Sequence, residues 1–351
     1  MGLGLLLAAA VLVGMTPLRE PVVRVILLGP DSLLPTSTPR TLTVMRHGRR
    51  VVVPVRHGIV RTHLAFRSPA LGGRPEEYDL YLPPGYDNPA DCARRYPVLY
   101  LLHGSPGRPD DWIQGMHVAQ MDDQGVASGA LPPMIIVMPE GNGGRWNDSQ
   151  YVNTAGGFRA EDLIVHDVVR YVDRHYRTIA DRRARAIAGI SEGGYGAMNL
   201  GLKHVDAFAT LVSLSGYFTA DPAKVLPGND PWGHDRALRP ANSPVRYVHR
   251  LAGLRATNIL IMDNPDDGSG IRAARRFSRT LARWHVPHTL LVQPAPNPLV
   301  AHFWPYWRAA FPRALAYIGR HIPAHRAPGG DISCVPRHPR VSHARLRSRA
   351  R

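Results

Sequence analysis

Apolar residues fall along this chain in two patterns, and their order predicts the architecture. Early segments alternate. Residues 51–53 and 58–66 alternate in part, and 78–82 (Tyr-Asp-Leu-Tyr-Leu) alternate fully before stopping at Pro83-Pro84-Gly85. Alternation of this kind predicts half-buried antiparallel strands. Later segments are continuous apolar runs: 96–102, 134–138, 186–188, 209–214, 258–262 and 289–292. Such runs suit strands buried on both faces. Between them lie helical spacings. Leu163, Ile164, Val168, Val169 and Val172 mark one helix within 160–176, residues 271–284 a second and 311–321 a closing third. Strand-helix alternation predicts an α/β domain, a mostly parallel central sheet with helices on both faces and antiparallel N-terminal strands. We place this domain at 46–323.

The flanks read differently. Residues 1–15 are apolar and uncharged, shorter than the roughly 20 residues of a membrane span. They are expected to be an export signal or membrane anchor, which places the protein outside the cytoplasm, secreted or anchored. Residues 29–45, rich in Pro, Ser and Thr, read as linker, so 1–45 forms an N-terminal segment. Residues 324–351 read as a disordered basic tail, with seven arginines and one acid from Arg326 onward.

Composition changes this picture little. The formal net charge is +16, but 41 of the 43 basic residues are arginine, with lysine only at Lys203 and Lys224. That skew fits a coding bias. No aromatic-interleaved basic stripe accompanies it, so nucleic-acid binding is not expected. The cysteines, Cys92 and Cys334, lack metal-ligand spacing. They are read either as a disulfide or as two thiols. No metal or other cofactor is expected.

The candidate chemistry sits at Gly189-Ile190-Ser191-Glu192-Gly193, between an apolar strand and a helix-like run. A Gly-x-Ser-x-Gly turn in that context exposes a strained serine at the top of a sheet. Serine nucleophiles need a base, and the base an orienting acid, here in the order serine, acid, histidine. His302 follows the last predicted strand and precedes the closing helix. The acid is confined to the loop after 258–262, which offers Asp263, Asp266 and Asp267. Asp266 is preferred, Asp267 is second, and Asp263 is close enough to the strand to cap its turn. Oxyanion donors are assigned to the backbone N–H of Glu192 and to a second one in the loop after His103-Gly104, where Pro106 has none and Ser105 is preferred to Gly107.

Five segments carry a resemblance: 81–86 (Tyr-Leu-Pro-Pro-Gly-Tyr), 96–104, 137–139, 188–197 and the His302-x-Trp304 string. Together they resemble the esterase D-type family of α/β-hydrolases over residues 58–322. That family includes S-formylglutathione hydrolases, feruloyl and acetylxylan esterases, and mycolyltransferases. The resemblance implies the α/β-hydrolase fold and a metal-free serine hydrolase or acyltransferase, with Ser191, Asp266 and His302 as its triad. The string 302–307 is similar to that of the mycolyltransferases. Three features depart from the family. Glu192 follows the nucleophile where many members have Met or Leu, the Gly-Gly often preceding the histidine is absent, and the acid loop lacks Gly-x-x-Asp.

The expected activity is carboxylic-ester hydrolysis through an acyl-enzyme at Ser191, on a small-molecule or glycan-linked ester, with association to the cell envelope. One alternative is an envelope acyltransferase using the same triad, with Trp112, Trp146 and Asn147 as residues that would line an acceptor site. The other is an inactive hydrolase fold that binds a glycan or protein, motivated by Glu192 and the acid loop.

Overall fold

The computed structural model describes residues 23–27, 40–144 and 147–324. The expectations for residues 1–15, for the tail beyond 324, for Cys334 and for Trp146 therefore lie outside the described residues.

Eleven strands are present among these residues: β1 (Val23–Leu27), β2 (Thr41–Arg46), β3 (Arg49–Pro54), β4 (Ile59–Ser68), β5 (Arg74–Leu82), β6 (Val98–Leu102), β7 (Ile135–Pro139), β8 (Arg185–Ile190), β9 (Thr210–Leu214), β10 (Asn258–Asp263) and β11 (His288–Val292). Nine of them form one sheet in the order β1-β11-β10-β9-β8-β6-β7-β5-β4. From β1 to β7 the neighbours are parallel, and β5 joins β7 and β4 in antiparallel fashion. This is the mostly parallel sheet with antiparallel N-terminal strands that the apolar pattern predicts.

The continuous runs are apolar throughout because each strand serves two cores. Val98, Tyr100 and Leu102 of β6 face one cluster, with Val172, Leu200 and Phe277 of the helices on that side. Leu99 and Leu101 face the other, with Val118, Phe311 and Ile318. Alternate residues point to opposite faces, so a strand covered twice has no polar position to spare.

Three predicted boundaries move. Residues 51–53 do not begin the main sheet. They pair with 42–44 in a separate hairpin, β2–β3. His47 and Gly48 at its tip both have positive φ, 50° and 75°, as a tight two-residue hairpin turn requires. The hairpin draws residues 41–45 out of the expected linker, because Thr41, Thr43 and Val44 are β-formers set among loop-type residues. Within that same N-terminal segment, 23–27 pair with β11. The closing helix begins at Trp304 rather than near 311 and runs through Pro312 to His321. Pro305 in its first turn is compatible with a helix start. No helix among the described residues is long and apolar enough to cross a membrane.

Leu101 is fully buried in the centre of the sheet. Leu101→Ala should lower unfolding free energy by about 2–5 kcal/mol, measured as a shift in the urea midpoint at unchanged slope.

Candidate active site

The chain leaves β8 at Ile190, turns at Ser191 and enters the helix Glu192–Lys203. Ser191 has φ 54° and ψ −119°, a conformation that L-residues rarely adopt. The turn fits only because its flanks are glycine. A Cβ on Gly189 would overlap the backbone of Gly193, and a Cβ on Gly193 would overlap the carbonyls of Leu102 and His103. The Ser191 N–H donates to the carbonyl of Leu214 at 2.9 Å, tying the turn to the end of β9. Strand order diverges around β6, which is followed by β7 on one side and β8 on the other. A crevice opens at such a switch point beyond the carboxyl ends of the strands, and Ser191 and Gly104 stand at its mouth.

His302 completes the first contact: its Nε2 lies 2.9 Å from Ser191 Oγ. Its Nδ1 lies 2.8 Å from Asp267 Oδ2. The sequence preference for Asp266 is therefore corrected to its second candidate. The reason lies in Asn264, whose side-chain oxygen accepts from the Asp266 N–H at 2.9 Å and closes a turn that leaves Asp266 exposed. One residue later, at the start of the helix Gly268–Arg283, Asp267 turns back towards the imidazole. The positive end of that helix favours an ionised carboxylate.

Asp263 has a separate place. It is fully buried at the end of β10, its Oδ1 accepting from the Asn264 N–H at 2.8 Å. Burial, followed by the neighbouring Asp267 charge, holds its carboxyl well above the usual range. Gly270 leaves room for the pair, since a Cβ there would stand 2.6 Å from Asp267 Oδ2 and 3.0 Å from Asp263 Oδ2.

The loop bearing His302 is fixed from two sides. Asn264 Nδ2 donates to the carbonyl of Ala301. Trp307 packs edge-on against the imidazole, ring centroids 5.3 Å apart, and its indole N–H donates to Ser215 Oγ at 3.1 Å. Asn264, Trp307 and Ser215 were not singled out as functional residues. The aromatic string after His302 was the available signal, but it does not say which ring meets the imidazole.

Ser105 lies on the wall of the pocket with Ser191 and Glu192, after the His103-Gly104 strand end. The His103 ring stands 2.8 Å from the carbonyls of both Gly104 and Glu140, joining the ends of β6 and β7. The Glu192 side chain is only 2% exposed. Its Oε2 accepts from Asn142 Nδ2 at 3.1 Å. Burial, then the nearby Asp148 carboxylate, raises its pKa well above the usual range. Both effects favour the uncharged form of this side chain, the form that adds no negative charge beside the serine turn.

Asn142 belongs to a loop that Glu76 supports by accepting from the Gly141 N–H at 2.7 Å. Burial, reinforced by Glu140, pushes Glu76 up to about 8. On the other side, Asp148 accepts from the Leu226 N–H at 2.7 Å and from Gln150, which in turn accepts from Tyr217. This network ties the loops around 142–150 and 217–226 to the serine turn.

The pocket at Ser191 and His302 has a volume of about 260 Å³. Among the described residues no aliphatic side chain lines it. Lys224 supplies its cation and bonds Ser269 Oγ at 2.9 Å. Trp112, one of the residues suggested for an acceptor site, is instead fully buried against Phe311 in the core. Asn147 is exposed and lines a neighbouring depression with Asn142 and Phe158.

The family model described as "Putative esterase" matches residues 68–318. The chain belongs to this esterase family. Esterase Rv1288 of Mycobacterium tuberculosis is 32% identical over 152 residues, 43% of this chain and 31% of that relative. An endo-1,4-beta-xylanase/feruloyl esterase of Xylanibacter ruminicola is 32% identical over 167 residues, 46% of this chain and 22% of that relative. The chain thus matches less than a third of the length of these curated relatives. Among solved structures, a ferulic acid esterase superposes with a TM-score of 0.64 at 28% identity, covering 76% of this chain and all of that one. The S-formylglutathione hydrolase of Staphylococcus aureus superposes with a TM-score of 0.58 at 23% identity, covering 74% of this chain and 98% of that one, a likeness of fold. The fold is that of the α/β-hydrolase esterases, as the sequence resemblance implies.

Two predictions follow from the buried acids of this esterase-family site. Because its surroundings favour the uncharged form of Glu192, Glu192→Gln should leave kcat/KM on a short ester near wild type, whereas Glu192→Ala strands the Asn142 amide and should cost about 1–3 kcal/mol in thermal unfolding. Glu76 binds its proton more tightly in the folded state, so its contribution to stability is complete below pH 4.5 and is lost as the pH rises to about 8. Glu76→Gln should flatten the decline in urea stability across that window, by up to ~1.4 kcal/mol per pH unit.

Proposed function

We propose that this protein is a carboxylic-ester hydrolase that works through an acyl-enzyme at Ser191. The observation that carries the reading is the single imidazole of His302 within hydrogen-bonding distance of both Ser191 Oγ, at 2.9 Å, and Asp267 Oδ2, at 2.8 Å. In the proposed reaction Ser191 Oγ attacks the acyl carbon while His302 Nε2 takes the hydroxyl proton. Asp267 holds the other ring nitrogen and stabilises the imidazolium. The backbone N–H groups of Glu192 and Ser105 are proposed to hold the oxyanion. His302 returns the proton to the leaving alkoxide. Water, deprotonated by the same imidazole, then attacks the acyl-enzyme and releases the acid and free Ser191.

The pocket supports a short acyl group. About 260 Å³ is below the usual range of ligand cavities, and its described lining is Ser, Gly, Tyr, Lys, Asp, Glu and His. Lys224 and Ser269 suit an ester rich in oxygen, such as one carried on a glycan. The relative named as an endo-1,4-beta-xylanase/feruloyl esterase supports a glycan-linked ester in particular. The absence of aliphatic lining among the described residues argues against a long lipid acyl group, and so weighs against envelope acyl transfer. A non-catalytic binding role drew on Glu192 and the irregular acid loop. The raised pKa of Glu192 and an acid supplied by Asp267 weaken both grounds.

A fluorophosphonate probe should label wild-type protein and leave Ser191→Ala unlabelled. Asp267→Asn should lower kcat by about 10²–10⁴-fold, while Asp266→Asn stays near wild type. Among p-nitrophenyl esters, acetate should be turned over faster than decanoate. Folded wild-type protein that neither labels nor turns over any ester would sink the hydrolase reading, and equal losses in the two aspartate variants would sink the assigned relay.

A further inference from the structure

A second cluster of chemically capable side chains stands on the antiparallel margin of the sheet. The pairing of β4 with β5 is irregular between Arg61 and Leu64, and His63 occupies that bulge with φ 55°. Bulges re-aim side chains. Here the His63 N–H donates to Asp79 Oδ1 at 2.8 Å, and His63 Nδ1 meets Glu77 Oε1 at 2.7 Å. Glu77 and Asp79 are two apart on β5, so they share a face of the strand. A ring nitrogen of His63 and one carboxylate oxygen from each acid all lie within 4.8 Å of one another.

The observation that calls for a ligand is Asp79. It is 0% exposed, and its Oδ2 has no hydrogen-bond partner among the described residues. A buried carboxylate ordinarily lies against a cation or is fully hydrogen-bonded. Here it has one backbone donor, the His63 N–H. Nitrogen and carboxylate ligands about 2.0–2.2 Å from one ion stand roughly 3–4.4 Å apart. The three groups therefore need only small side-chain rotations to close on one ion.

We propose that His63, Glu77 and Asp79 form a binding site for a divalent transition metal, of which zinc is the representative. One imidazole and two carboxylates favour zinc over calcium, which takes six to eight oxygens. None of the three ligands lines the pocket at Ser191. The site clamps the bulge of the edge strand β4 onto β5 and stabilises the fold without entering ester chemistry.

The test uses the full chain without a histidine tag, stripped with chelator and dialysed. Isothermal titration with zinc chloride, with calcium chloride in parallel, is run on wild type, His63→Ala and Glu77→Gln. His63 and Glu77 are exposed, so both variants should fold, as circular dichroism will check. We expect one zinc equivalent bound by wild type, a raised melting temperature, at least tenfold weaker binding in each variant, and no calcium response. The chain holds 17 histidines, and zinc affinity unchanged in His63→Ala would assign binding elsewhere and overturn the site. Absence of zinc binding to wild type would overturn it equally, leaving only the His63–Glu77 contact beside a buried Asp79. Esterase turnover plays no part in either readout, so this inference and the hydrolase reading stand or fall separately.

Discussion

The backbone at Ser191 is the constraint on which the site depends. A strand that ends inside a parallel sheet must reverse into a helix within one residue, with φ 54° at a residue that carries a side chain. That conformation survives only if the surroundings enforce it. The enforcement is steric: Gly189, Gly193 and Gly194 let the helix, β6 and β9 approach to backbone contact. Gly104 repeats the device across the crevice, where a Cβ would stand 3.3 Å from that of Ser191. The sheet's two cores supply the free energy that holds these glycines together.

Around this turn the fold of a basic chain buries several carboxyl groups. Glu192, Asp263 and Glu76 are all buried, and all have raised pKa values for the same first reason, loss of hydration. Each also stands near a second acidic side chain, Asp148, Asp267 and Glu140 respectively, whose proximity pushes in the same direction. Burying acids in pairs therefore favours their uncharged form, because water is excluded and like charges would repel.

Much of this was readable before the structure. Ser191 was legible because glycine spacing, strand and helix patterns coincide there. His302 was legible because chain order leaves few histidines after the last strand. The acid was not. Asp266 and Asp267 are adjacent and chemically identical, and their fates separate through the side chain of Asn264, which closes a turn on one and releases the other. The departure at Glu192 was visible, but its meaning was not, because the sign of its effect depends on where the carboxylate is buried. The hairpin at 41–54 was missed for a related reason: its β-formers are few, and its turn is set by positive φ at His47 and Gly48.

Local patterns along the chain were sufficient for the sheet, its two covered faces, the serine turn and the order in which Ser191, the aspartate loop and His302 follow one another, because these follow from periodicity and from steric rules that act over a few residues. Long-range geometry decided the rest. Asp267 meets His302 across 35 residues and His302 meets Ser191 across 111. Asp79 loses its water because β4 and β7 flank it on either side. Charge states, pocket size and the choice between neighbouring aspartates depend on solvent exclusion and on distances between segments remote in the chain, and neither exists until the sheet has closed around them.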